Sequence, residues 1–204
     1  MSPEDILHKF DIQEKDVVAI YPYGSRVYGC HNDSSDHDWV IVYKASMLPS
    51  GAFRDNAISS EDRSHQAICY SRSGFQSAID YYDVTALECA LLPKEMVIMS
   101  KMNFGVRKWV ASEMASSFIT KASSSWHLAL EAMKRDDEQK ARKNVYHALR
   151  ILGFGLQLAE TGKILEYGAY NHLRKNVMED PEFSTNKYMG MRDNFMHTLR
   201  SKTV

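Results

Sequence analysis

Cysteine, proline and long apolar runs are all scarce in this chain of 204 residues, and each shortage narrows what it can be. There are three cysteines, Cys30, Cys69 and Cys89, an odd number with no Cys-x-x-Cys spacing. That count argues against a disulfide framework and against a zinc site, and it suits a reducing compartment. Cys30 has no activating base in sequence view, so a nucleophilic role is not expected of it. Five prolines and ten glycines are too few for a low-complexity chain. No apolar stretch approaches the roughly 18 residues of a membrane-spanning helix. The acidic start, MSPEDILHKF, lacks the apolar centre of a secretion signal. The expectation is a cytoplasmic, soluble protein with no membrane partner.

The composition that is present is ordinary for a folded chain, with 44% hydrophobic and 25% charged residues. The net charge of −1 conceals a division. Residues 1–100 carry 8 Lys/Arg against 15 Asp/Glu, whereas residues 101–204 carry 17 against 11. An acidic half followed by a basic half suggests a cation site in one and a surface for phosphates in the other. A Lys-rich helical surface with no function would give the same split.

Periodicity divides the chain in the same place. Ser2, Pro3, Glu4 and Asp5 form a helix start, with a capping residue, a proline and then acids near the positive end of the dipole. Val17–Tyr21 and Trp39–Tyr43 read as strands, the first broken by Pro22 and Gly24. Residues 44–66 read as a long polar loop. Ala67–Tyr70 and Ala78–Thr85 read as two more strands, and a helix follows Thr85 until Pro93 stops it. From Gly105 the spacing becomes helical, with helices expected near 106–121, 124–136, 138–161, 168–179 and 184–200. Ser123–Ser125 would cap the second of these, Gly162 would end the third, and Trp109, Met114 and Phe118 have core spacing. The expected fold is α+β: a small mixed sheet over residues 1–102 and a helical region over 103–204.

The stretch YPYGSRVYGCHNDSSDHDWVIV, residues 21–42, carries the chemistry. A strand runs into Gly24-Ser25, where glycine lets backbone approach a ligand. Ser25 would cap a following helix and present its hydroxyl and nearby N–H groups to a phosphate. Arg26 and Tyr28 lie beside this loop, Arg26 as a substrate contact and Tyr28 as either contact or packing. Asp36 and Asp38, two apart at the start of a strand, point to one face and make an oxygen site suited to Mg²⁺. A two-metal site needs a third carboxylate from a neighbouring strand. Asp83 is the first choice, because it lies just before a helix, and Asp80 is the fallback.

In this order the residues resemble the polymerase-beta-type nucleotidyltransferase superfamily. GSRVYG followed by SDHDW is similar to the minimal, RNA-ligase-associated branch of that superfamily. Asp83–Glu88 resembles its third-carboxylate strand leading into a helix, and Lys143–Leu152, followed by Thr161–Ile164, resembles its helical motif. His37 stands where the resembled proteins carry an apolar residue. The resemblance implies transfer of a nucleoside monophosphate from an NTP to an acceptor hydroxyl, with two Mg²⁺ ions on Asp36, Asp38 and Asp83. Gly24, Ser25 and Arg26 would hold the phosphates. On the 140–158 helix, Lys143, His147 and Arg150 share a face opposite the Val145, Leu149, Leu152 and Leu156 stripe. With the resemblance, Lys143 and Arg150 are expected to meet triphosphate or RNA. An RNA end is the first expectation for the acceptor, then a protein hydroxyl (AMPylation), then a small molecule. A non-catalytic nucleotide-binding module is the rival from another class.

Overall fold

The structure, a computed structural model, describes residues 1–44 and 56–203. The chain divides into two compact units, Met1–Arg107 and Lys108–Val204. The middle of the expected 44–66 loop lies outside the described residues.

The first unit is built on a five-stranded sheet. Its strands are β1 (Val17–Tyr23), β2 (His37–Tyr43), β3 (Asn56–Ser59), β4 (His65–Ser71) and β5 (Met99–Ser100), in the spatial order β3-β4-β2-β1-β5. β1 lies antiparallel to β2 and β5, β3 lies antiparallel to β4, and β2 and β4 are parallel. Helix α1 (Pro3–His8) starts as expected: Ser2 accepts from Asp5 N while Asp5 accepts from Ser2 N, a reciprocal capping box. Its Ile6 and Leu7 pack on one face of the sheet with Val17, Ile20, Trp39, Ile41, Ala67 and Cys69. Strand alternation sends Tyr21 and Tyr70 to the other face. There Phe75 lies 5.5 Å from Tyr21 and 5.3 Å from Tyr70, ring centre to ring centre.

Phe75 belongs to a helix that runs from the expected turn into the segment where a strand was expected. Residues 72–80 form α2 (Arg72–Asp80) and residues 84–90 form α3 (Val84–Ala90), so no strand runs from Ala78 to Thr85. The reason is local. Ser71 caps α2 through Gly74 N, and Phe75, Ala78 and Ile79 then bury one side at helical spacing. Tyr82, at φ 58°, turns the chain between the two helices. β1 continues through Pro22, which pairs with Trp39 beyond the point where the two-residue β5 ends. β3 was hidden in the polar segment. Its turn is organised by Asp62, whose carboxylate accepts from the Ser60 hydroxyl at 2.5 Å and the Ser64 hydroxyl at 2.7 Å. Those bonds, with the Ser64 N–H, hold the Asp62 carboxyl well below the usual range.

The second unit is helical: α4 (Ala111–Met133), α5 (Glu138–Thr161), α6 (Asn171–Met178) and α7 (Thr185–Ser201). α4 is one helix where two were expected. Ser124 does not cap; its hydroxyl donates back to the Thr120 carbonyl, 3.0 Å away and one turn earlier. The apolar stripe Met114, Phe118, Ala122, Trp126 and Ala129 runs through the serines unbroken. Trp109 lies outside that stripe, before the helix begins and 40% exposed. α5 starts on Asp137, which accepts from Lys140 N, and ends on Gly162 at φ 69°, the left-handed cap read from the sequence.

Candidate active site

The chain leaves β1 at Tyr23 and enters a single 3-10 turn, Gly24–Arg26. No longer helix follows, and no side chain caps the turn, so the expected helix N-terminus beneath a phosphate is replaced by a tight loop. The loop is closed by backbone bonds, Tyr28 N to Gly24 O at 3.2 Å and Cys30 N to Ser25 O at 3.0 Å. Gly24 sits at φ 74°, and a Cβ there would fall on the Asp38 carboxylate. Glycine is therefore required twice, for the backbone angle and for the close approach.

Tyr23 and Asp38 are register partners, which brings the end of β1 and the start of β2 together. Arg26 reaches across the loop, donating to the Ser35 carbonyl at 2.9 Å and the Asp36 carbonyl at 3.4 Å. Asn32 Oδ1 accepts from Ser34 and Ser35 and shapes the turn before them. The structure thus gathers Gly24, Arg26, Asp36 and Asp38 at one end of the sheet, with Ser25 in the same turn. On the neighbouring parallel strand, Gln66 is the register partner of Asp38, and its Nε2 donates to Asp36 Oδ2 at 2.9 Å. Sequence reasoning missed Gln66. The signal available was slight: a histidine opens both strands, His37 and His65, and aligning the two sets Gln66 opposite Asp38.

Asp83 is the N-cap of α3, with Oδ1 accepting from Ala86 N at 3.1 Å. The first turn of α3 lies against the loop: the Tyr23 and Thr85 hydroxyls are 3.4 Å apart, and Tyr28 OH donates to Glu88 Oε2 at 2.5 Å. Tyr28 and Glu88 are both buried, so the pair anchors the loop to the helix. Asp80 is turned to another task, accepting from Gln76 at 3.0 Å and pairing with Arg107 at 3.4 Å. Among the described residues, no three His, Cys, Asp or Glu side chains gather into a metal-binding group.

The opposite face of the same strand ends is a stack of flat rings. His37 and His65 lie 4.7 Å apart and nearly parallel, Trp39 is parallel to both, and Trp39 Nε1 donates to His65 Nδ1 at 3.0 Å. Burial lowers the pKa of both imidazoles, and the Arg26 charge adds to this at His37, as Lys9 does at His65. The departure at His37 thus has a packing partner, and the stack stiffens the backbone that carries Asp36 and Asp38.

In the helical unit, Lys143 is exposed while Arg150 is only 3% exposed. Arg150 Nη2 lies 3.1 Å from His147 Nδ1, and its guanidinium stacks over Tyr146 and Phe154. Aromatic neighbours one turn away make room for a buried guanidinium on the face that lies opposite the apolar stripe. Burial, then the charges of Arg150, Lys143 and Lys121, pushes the His147 imidazole well below its ordinary pKa.

No family profile matches the chain, and no curated protein matches it. Among solved structures, a nucleotidyltransferase-like protein from Exiguobacterium sibiricum is similar over 98% of this chain and 74% of its own, at 13% identity and a TM-score of 0.36.

Proposed function

We propose that this chain is a metal-dependent nucleotidyltransferase. It would move a nucleoside monophosphate from an NTP to an acceptor hydroxyl, an RNA end by preference, with release of pyrophosphate. The observation that carries this reading is the packing of Gly24, at positive φ, onto the Asp38 carboxylate. It joins a close-approach loop to a carboxylate pair, the two parts that nucleotidyl transfer needs at one point.

The donor set fits magnesium: two carboxylates from one strand face, with room in its preference for water and phosphate oxygens. Asp36 and Asp38 would hold it, and when bound it would neutralise charge on the transferring phosphate. The remaining roles belong to the chain. Gly24 lets phosphate oxygens reach the backbone, and Ser25 offers a hydroxyl. Arg26 holds the Ser35 and Asp36 carbonyls through Nη2 and Nε and would meet a phosphate through Nη1. Asp83, at the N-terminus of α3, would orient the acceptor hydroxyl. On the helical unit, the exposed Lys143 would add affinity for RNA, whereas the buried Arg150 is committed to its aromatic neighbours. Catalysis in such a site is positioning and charge stabilisation.

Incubation with each α-³²P-labelled NTP and Mg²⁺, with and without total RNA, tests the reading on a denaturing gel. Label on RNA that disappears in Asp38→Asn is the expected result. Label on the protein would move the acceptor to a side-chain hydroxyl. Absence of label with retained NTP binding would replace transfer by nucleotide holding, and absence of both would end the reading.

A further inference from the structure

One place from which a third carboxylate could face both aspartates is already occupied. β2 and β4 are parallel and in register, so Asp38 and Gln66 leave the same face side by side, and Asp36, two residues before Asp38, shares that face. The side chain at this place is a neutral amide, and it is engaged: Gln66 Nε2 donates to Asp36 Oδ2. The acids nearest in sequence to α3 have other partners, Asp83 at the α3 N-terminus and Glu88 on the Tyr28 hydroxyl. We infer that the Asp36–Asp38 pair takes a single divalent cation per chain. Gln66 is a positioning residue: it holds Asp36 through its amide and denies the site the charge that a second cation would need. The electrostatics support this. Two carboxylates balance one divalent cation, and the triphosphate brings anionic oxygens to that same ion. A second ion beside the first would meet like charge with no third carboxylate to hold it, only the Gln66 amide dipole and the charge left on the triphosphate. The inference rests on the pair being a nucleotide–metal centre, as proposed above.

The test counts Mn²⁺ bound to the full-length protein by loss of the free-ion EPR signal with α,β-methylene-ATP present, the ion bound by the nucleotide alone being subtracted from a protein-free control, with a melting curve for every variant. The wild-type chain should bind one Mn²⁺, Gln66→Asp should bind two, and Gln66→Ala should bind one with affinity weakened about 3- to 10-fold. Asp38→Asn should lose at least about 10-fold in Mn²⁺ affinity. Two ions on the wild-type chain would overturn the inference. So would a single ion on a normally melting Gln66→Asp, or unchanged affinity in Gln66→Ala. Should Gln66→Asp fail to melt cooperatively, Gln66→Glu takes its place with the same expected count. Failure of the underlying reading looks different: Asp38→Asn would then bind Mn²⁺ and the nucleotide analogue as the wild type does.

Discussion

Gly24 shows how much of the site depends on single atoms. Its φ of 74° is the left-handed region, and the space a side chain would need is filled by Asp38. Gly24→Ala should lower stability by about 1–3 kcal/mol and depress any nucleotide affinity, because backbone strain and the clash act together. A melting temperature within a degree of wild type would show that the loop yields without loss. Asp38→Asn is the complementary change. It keeps the shape and removes one charge, so it should reduce transfer by roughly 10²-fold or more while melting normally; near-normal activity would sink the assignment. Both residues stood out in the sequence, because Gly-Ser and Asp-x-Asp are close in the chain at strand ends, although the helix expected after Ser25 is only a 3-10 turn. Gln66 was not legible, since its importance comes from a register 28 residues away that only the parallel pairing of β2 and β4 establishes.

At the scale of elements, the segment from Arg72 to Ala90 is the instructive one. A strand over 78–85 would deliver Asp83 from the sheet; with Arg72–Asp80 helical as well as the expected helix after it, Asp83 becomes the N-cap of α3. Asp83→Ala should therefore cost about 0.5–2 kcal/mol of stability through the lost cap. Asp83→Ser, which can still cap, should recover most of it. An effect on activity that Ser does not restore would separate the carboxylate's chemistry from its capping. In α5, Gly153 faces the Tyr170 ring, which is held in place by its hydroxyl donating to the Gly153 carbonyl at 3.0 Å. A methyl group there would enter the ring. Gly153→Ala should lose about 1–3 kcal/mol by overpacking, even though alanine favours helices. A gain in melting temperature would mean that Tyr170 can leave its position. The long α5 was readable end to end because an Asp cap, an apolar stripe and a terminal glycine agree. The serine run inside α4 was misread, since a serine can cap a helix or bond back within one, and the continuing apolar stripe decides which.

For the molecule as a whole, acid sensitivity is the consequence of its histidines. His65 accepts a hydrogen bond from Trp39 at Nδ1, so it must be neutral there when folded, and its pKa lies below the ordinary 6.5. The same direction holds at His37 and His147. A histidine with a lowered folded pKa favours the folded state fully above its unfolded pKa. That contribution is lost as pH falls below about 6.5 towards the folded value. The urea midpoint should drop between pH 7.5 and 5.5, and His65→Gln should flatten part of the drop. A midpoint equal or higher at pH 5.5 would show that these rings are not held neutral. The low carboxyl pKa values at Asp62 and Asp180, the latter about 2, act at more acidic pH and leave this window clear.

By itself the sequence determined the α+β class, the strands that carry Asp36 and Asp38, the glycine loop beside them and most of the helical unit. All of these rest on short-range signals: caps, alternation, apolar spacing and turn residues. The tertiary structure alone decided that β3 lies on the edge of the sheet and that β4 runs parallel to β2. It also set Gln66 beside the aspartates, made Asp83 a cap and buried Arg150 among aromatic rings. Those outcomes follow from pairing between distant segments, where burial and register choose among local conformations that the chain permits equally well.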